Sequence, residues 1–172
     1  SKKSMKKKNM GGLINGSLET DGTSDKYHTQ LSCIQLSNNC SCLIHDVEVT
    51  GCLGQGIITE HESMLTLQGS LIFGNTQNGI VARNESMVAV KSSRIEANGH
   101  YGFMTLDEAS ATITESQFVH NLCHAVRHES LGSLSIHSTK FLMRGQASSK
   151  EREPHVSIKE GRQVEMSSNT ME

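Results

Sequence analysis

The chain has 172 residues, a formal net charge of −2, 35% hydrophobic residues, 3% aromatic residues and no Trp. That length favours one domain, and so few aromatics exclude a core anchored on large rings, leaving small aliphatic side chains to do the packing. A slightly negative chain has no overall attraction for nucleic acid or anionic lipid, and no run of about 18 apolar residues is present to span a membrane; neither partner is expected.

Residues 1–27 open with SKKSMKKK and continue through GGLINGSLETDGTSDKYH without periodicity. The pattern predicts a flexible basic arm, its lysines a solvated run rather than a localisation or phosphate-binding patch, and it contains no secretory leader.

From residue 28 to 145 the chain repeats every 23 residues. One column reads Cys42, Leu65, Val88, Ala111, Leu134 and a second, two residues on, Ile44, Leu67, Val90, Ile113, Ile136. A third reads Val49, Ile72, Ile95, Phe118, Phe141, a fourth Cys33, Gly56, Gly79, Gly102, Ala125, and a fifth Ile34, Ile57, Ile80, Phe103, Val126. Apolar positions two apart mean strand alternation rather than helix. Three short strands and three corners closing every 23 residues predict an all-β, right-handed parallel β-helix of about five coils, each strand stacked about 4.8 Å from its equivalent.

The column Asn75, Asn98, Asn121 falls three residues after the third apolar column, at a corner. Stacked amides there can hydrogen-bond up the axis, so these residues are read as an internal ladder that starts at Asn75, Cys52 occupying the place below. Gly56, Gly79 and Gly102 mark the next corner, where a Cβ would obstruct packing. Residues 146–172 read as a polar loop, an irregular last coil with Val156 and Ile158 stacked over Leu134 and Ile136, and a frayed tail.

The five cysteines, Cys33, Cys40, Cys42, Cys52 and Cys123, are odd in number and clustered. They are expected to be reduced thiols of an intracellular protein, against the weaker indication of three N-x-S/T sequons at Asn15, Asn39 and Asn84.

The unit MLTLQGSLIFGNTQNGIVARNES resembles the parallel β-helix repeat of the pectin-lyase-like superfamily. Its x-G-I-x-V return and I-x-x-N corner are similar to repeats in F-box proteins that carry a β-helix and in carbohydrate-binding and sugar-hydrolase domains. The resemblance covers about residues 31–145 and implies the fold; it spreads over lyases, hydrolases, epimerases, tailspikes and adaptors, so it does not imply one activity. Enzymes of this kind would bring paired Asp carboxylates with Gly-His-Gly, acidic calcium ligands facing an Arg, or Asp-Pro-His. Here the nearest matches are His100 in GHYG, Arg83, Arg94 and Arg127 in different columns, and Glu153-Pro154-His155 outside the regular coils. No lyase or hydrolase motif is found. The expected function is a non-catalytic recognition or scaffolding module that binds a protein partner; the alternative is a carbohydrate-binding or polysaccharide-active β-helix.

Three surface features bear on that choice. Glu62, Glu85 and Glu108, with Asp107 beside the last, stack carboxylates up one corner and suggest calcium or a basic partner, against a plain solvated turn; no other cofactor is expected. Lys91, Arg94, Glu96 and Glu115 are read as a binding face next to that corner. His120, His124 and His128, and Cys40, Cys42, His45 and Cys52, have metal-ligating side chains, but their columns send them in different directions or into the core. The open strand edges at the two ends of the stack imply flanking domains or self-association.

Overall fold

The computed structural model describes residues 32–142 and 156–171. The first coil comprises β1 (Ile34–Leu36), β2 (Ser41–His45) and β3 (Glu48–Thr50), and the second β4 (Ile57–Thr59), β5 (Met64–Gln68) and β6 (Leu71–Phe73). The third contains β7 (Ile80–Ala82), β8 (Met87–Lys91) and β9 (Arg94–Glu96), the fourth β10 (Phe103–Thr105), β11 (Ser110–Thr114) and β12 (Gln117–Val119). The fifth has β13 (Val126–His128), β14 (Leu134–His137) and β15 (Lys140–Leu142), and the sixth β16 (Val156–Ile158), β17 (Val164–Ser167) and β18 (Thr170–Met171). Corresponding strands form three parallel six-stranded sheets: sheet A from β1 to β16, sheet B from β2 to β17, sheet C from β3 to β18. The protein is an all-β parallel solenoid, as the 23-residue period predicts.

Stacking follows the sequence columns. Leu65 pairs with Cys42 and Val88, Ile72 with Val49 and Ile95, and Phe103 with Ile80 and Val126. These side chains point inward and form one continuous core. Phe118 and Phe141 stack there with ring centroids 5.6 Å apart. Small aliphatics suffice because each inward side chain is covered by its neighbours one coil above and one below.

At the corner from sheet C to sheet A the amides form a ladder. Asn75 Nδ2 donates to Asn98 Oδ1, and Asn98 Nδ2 to Asn121 Oδ1, both at 2.9 Å. Each Oδ1 also accepts a backbone N–H from the coil below: Cys52 to Asn75, Asn75 to Asn98, and Asn98 to Asn121. The glycine column makes room for it. A Cβ on Gly79 would lie 2.6 Å from the Gly102 carbonyl oxygen and 2.8 Å from Asn98 Nδ2, and Gly56 and Gly102 are equally confined.

A second ladder, absent from the sequence reading, runs up the corner from sheet B to sheet C. The Ser70, Ser93 and Ser116 hydroxyls donate to the carbonyls of Gln68, Lys91 and Thr114. The same oxygens accept the N–H groups of Val47, Ser70 and Ser93 from the coil below. Thr139 continues the column, and its N–H donates to Asn169 Oδ1.

Two expectations are corrected. Cys33 and Cys52 form a disulfide, with Cα atoms 5.6 Å apart, so they are not reduced thiols. The cause is positional: Cys33 stands in the glycine column and Cys52 in the asparagine column. These columns face each other in the next three coils as well, Gly56 with Asn75, Gly79 with Asn98 and Gly102 with Asn121, and a Cα separation of this size suits a disulfide. Cys40 and Cys42 are free thiols. Secondly, Val156 and Ile158 do not stack on Leu134 and Ile136; they pair with Val126 and His128, while Leu134 pairs with Val164. The expected basic arm (1–27), the loop from residue 146 to 155 and its Glu153-Pro154-His155 lie outside the described residues.

His128 is fully buried in the inward column of Thr59, Ala82 and Thr105. Its Nδ1 meets Thr105 Oγ1 at 2.6 Å, and its Nε2 has no hydrogen-bond partner. Burial first, and the Arg162 charge second, push its pKa below the usual imidazole value, with the Gly132 backbone opposing. The folded state therefore disfavours imidazolium, and the unfolded chain takes up the proton first. The stability involved is complete above about 6.5, the ordinary value, and is lost as pH falls from there toward the folded-state value.

Two outcomes are expected. Asn98→Ala removes the acceptor of the Asn75 N–H and of one Asn75 Nδ2 hydrogen and should cost at least about 2 kcal/mol, read as a lower urea midpoint in equilibrium unfolding; a loss below about 1 kcal/mol would show that the ladder is not structural. Wild-type stability should fall between pH 7.5 and pH 5, and His128→Thr, which matches its column, should flatten that fall; parallel pH profiles for the two proteins would exclude His128 as a source.

Candidate functional site

With the inward residues committed to the stack, any working site is built on outward positions. The three faces differ in how much they leave open. On sheet A the outward Ile58 and Val81 are only 2% and 6% exposed, and the outward polar groups are engaged with one another. Glu60 is buried and accepts from Gln35 Nε2 at 2.5 Å and Arg83 Nε at 2.7 Å. Burial alone would raise its pKa; the hydrogen bonds from Gln35 and Arg83 and the Arg83 charge outweigh that and hold the carboxyl below its usual value. Higher on the same face, Arg127 pairs with Glu129 and donates to Ser157 Oγ. Sheet A is a closed, self-neutralised face.

Beside it, at the corner from sheet C, the column Gln55, Asn78, Tyr101, His124 is chained by hydrogen bonds: Asn78 N–H to Gln55 Oε1 and Tyr101 N–H to Asn78 Oδ1. Tyr101 stacks on His124 at 5.7 Å and touches His100 at 4.0 Å. Burial, then the His124 charge, lower the His100 pKa. The Tyr101 ring is thus occupied and is not a free platform for a pyranose. His120 is exposed and His128 lies in the core, so the three histidines do not converge. A notch lined by Ala97, Asn98, Gly99, His120 and Leu122 holds about 180 Å³, less than the roughly 300 Å³ of small-molecule sites.

Sheet C also spends its charges internally. Arg94 donates to Glu96 through Nε and to Gln117 through Nη1. The predicted binding set is corrected here. Arg94 and Glu96 lie on β9 of sheet C, Lys91 ends β8 of sheet B, and Glu115 sits on the turn between β11 and β12, accepting from Ser92 Oγ. The four wrap around a corner instead of sharing a face. The Glu62–Glu85–Glu108 corner is on the far margin of sheet B, a full strand width away.

Sheet B is the open face. Its longest strands have five residues, about 16 Å across, and successive strands rise about 4.8 Å. Outward positions read Ser41, Leu43, His45 on β2, Met64, Thr66, Gln68 on β5, Met87, Ala89, Lys91 on β8, and Ser110, Thr112, Thr114 on β11. Leu43, Met64 and Met87 are 66%, 50% and 54% exposed, and Met64 and Met87 are register partners. The lower half of the sheet thus presents an apolar patch, which the sequence reading missed. Its signal was two methionines 23 residues apart at an outward position.

The acidic corner borders this patch, two residues before β5 and β8. His61, Glu62, Asn84, Glu85 and Asp107 all have left-handed backbone, φ between 51° and 60°. The turns interlock: Glu62 N–H donates to the Asn84 carbonyl, and Asn84 N–H to Asp107 Oδ2. Glu62, Glu85, Asp107 and Glu108 are all exposed. Glu60, Glu96 and Glu129 each hold an arginine, whereas Glu62, Glu85 and Glu108 take part in no ion pair among the described residues. Carboxylates at strand spacing in water repel by up to about 0.9 kcal/mol per neighbouring pair. Among the described residues no three His, Cys, Asp or Glu side chains gather into a set able to hold a metal ion.

Comparison with curated proteins, and with solved structures, returned no match. The family model described as right handed beta helix region matches residues 23–142, well over half of the 172-residue chain. With the parallel three-sheet stack already in view, the chain belongs to the right-handed β-helix family.

Proposed function

We propose that the protein is a non-catalytic recognition or scaffolding module that holds a protein partner against the outer face of sheet B. The observation that supports this reading is the exposed Leu43, Met64 and Met87 patch on a flat sheet whose strands are fixed on both margins by the stack. Apolar area left open on a rigid surface favours association, and methionine side chains adapt to varied partner shapes. The backbone beneath is already ordered, so little conformational freedom is lost on docking. The Glu60–Arg83 and Arg127–Glu129 pairs on sheet A and the Arg94–Glu96 pair on sheet C are self-contained, whereas the sheet B side chains Leu43, Met64 and Met87 stand open. The end strands β1–β3 and β16–β18 each have one strand neighbour among the described residues, and flanking segments or self-association would cover these edges.

A cross-linked pulldown with the full chain, run beside a glycan array with and without calcium, tests this reading. The Leu43→Ser/Met64→Ser/Met87→Ser variant should melt within about 1 kcal/mol of wild type, since exposed substitutions cost little, and should lose at least about tenfold of its specific protein partner, or roughly 1.4 kcal/mol. Undiminished recovery of the same partner by the variant, or glycan binding by the wild type that survives it, would sink the proposal.

A further inference from the structure

Resting on the recognition reading, the charge distribution around sheet B points to a more specific occupant. We infer that the partner contributes an extended segment whose apolar side chains cover Leu43, Met64 and Met87 and whose Lys or Arg residues lie along the Glu62, Glu85 and Glu108 corner. The two features are contiguous. Glu62 and Glu85 stand two residues before Met64 and Met87, about 7 Å of extended chain, so one segment can touch both.

Among the described residues the corner glutamates take part in no ion pair, unlike Glu60 and Glu96 nearby. Glu60 has Arg83 and Glu96 has Arg94. Among the described residues the three corner glutamates form a row without such partners; Glu62 and Glu85 sit on left-handed backbone, as does Asp107 beside Glu108. The opposite margin of sheet B carries His45, Gln68, Lys91 and Thr114, with the carboxylates Asp46 and Glu115 on the turns that follow β2 and β11. The row of three glutamates one coil apart lies on the edge facing sheet A, and no such row lies on the edge facing sheet C. A segment lying across the sheet is therefore drawn to place its basic flank toward the Glu62 corner. A calcium ion would use the same carboxylates, but it would make no use of the apolar patch beside them.

Two synthetic 12-residue peptides with leucine at alternating central positions, one flanked by lysines and the other by glutamates, separate the alternatives by fluorescence anisotropy on the full chain. The lysine peptide should bind at least about tenfold more tightly, three exposed ion pairs accounting for a factor of that order. Glu62→Gln/Glu85→Gln/Glu108→Gln should abolish most of the difference without changing the thermal melt, and 0.5 M NaCl should do the same by screening. Equal affinity for the two peptides, both lost in the Leu43→Ser/Met64→Ser/Met87→Ser variant, overturns the electrostatic inference and leaves the recognition reading standing. Binding of neither peptide overturns the inference; the recognition reading falls with it only if the pulldown is also insensitive to the serine variant. Saturable heat on titrating CaCl₂ alone, lost in the glutamine variant, assigns the corner to a metal and overturns the inference as well.

Discussion

A single constraint governs the molecule: each residue must sit one strand spacing above its equivalent in the previous coil, because parallel hydrogen bonding between coils is the only regular backbone pairing in the described stack. Side chains at inward corners cannot reach water, so a polar group there has to find its partner along the axis. Asparagine meets this need because its amide is donor and acceptor at once. Asn98 gives Nδ2 to Asn121 and to the Ile72 carbonyl while its Oδ1 receives from Asn75. Serine solves the same problem at the next corner by linking its own coil's carbonyl to the N–H of the coil below. The fold is thus held by a core of modest aliphatics together with two polar columns, which compensates for the scarcity of aromatics.

The first coil shows how the constraint is met where a column changes its chemistry. Below Asn75 the amide ladder has no further rung, and Cys52 accepts the position with its N–H still bonded to Asn75 Oδ1. Facing it, Cys33 replaces the glycine that elsewhere leaves space for the amide. Two sulfur atoms then occupy the volume that Nδ2 and the vacant Cβ position share in the coils above, and a covalent bond spans the corner there. At the top, the step from Val126 to Val156, from Leu134 to Val164 and from Lys140 to Thr170 is 30 residues in all three sheets, seven more than the usual 23. Since the three offsets agree, the extra residues all lie between Leu142 and Val156, and Asn169 can still take the place above Thr139 in the serine column.

That pattern explains what could be read in advance. The strand columns and the Asn75–Asn98–Asn121 corner were legible because inward positions repeat under a packing constraint that leaves its period in the sequence. The last coil was read eight residues out of register because a hydrophobic pair such as Val156 and Ile158 fits more than one column when an insertion precedes it. The Cys33–Cys52 bond was present in the columns, yet nothing in a linear period says that columns 19 residues apart face each other across a corner. The serine ladder was overlooked because serine is common at turns for local reasons. Lys91, Arg94, Glu96 and Glu115 looked like one face because residues a few positions apart are close; a corner between β8 and β9 turns them onto different sheets.

Outward positions carry a different kind of information. The stack demands repetition inside and none outside, since an exposed side chain need only tolerate the strand or turn that bears it. Sheet B shows this freedom in the column Leu43, Thr66, Ala89, Thr112, Ser135, which changes character at nearly every step. Where an outward column does repeat, the fold does not account for it. Glu62, Glu85 and Glu108 repeat at a cost in mutual repulsion, and Met64 and Met87 repeat at a cost in exposed apolar area. Glu60 and Arg83, one coil apart on sheet A, show what a self-contained solution looks like: opposite charges in register that neutralise each other. Among the described residues the glutamate row and the methionine pair have no such internal resolution, and they adjoin each other at the start of β5 and β8. On the proposed reading, one partner surface that is both apolar and basic satisfies the two together.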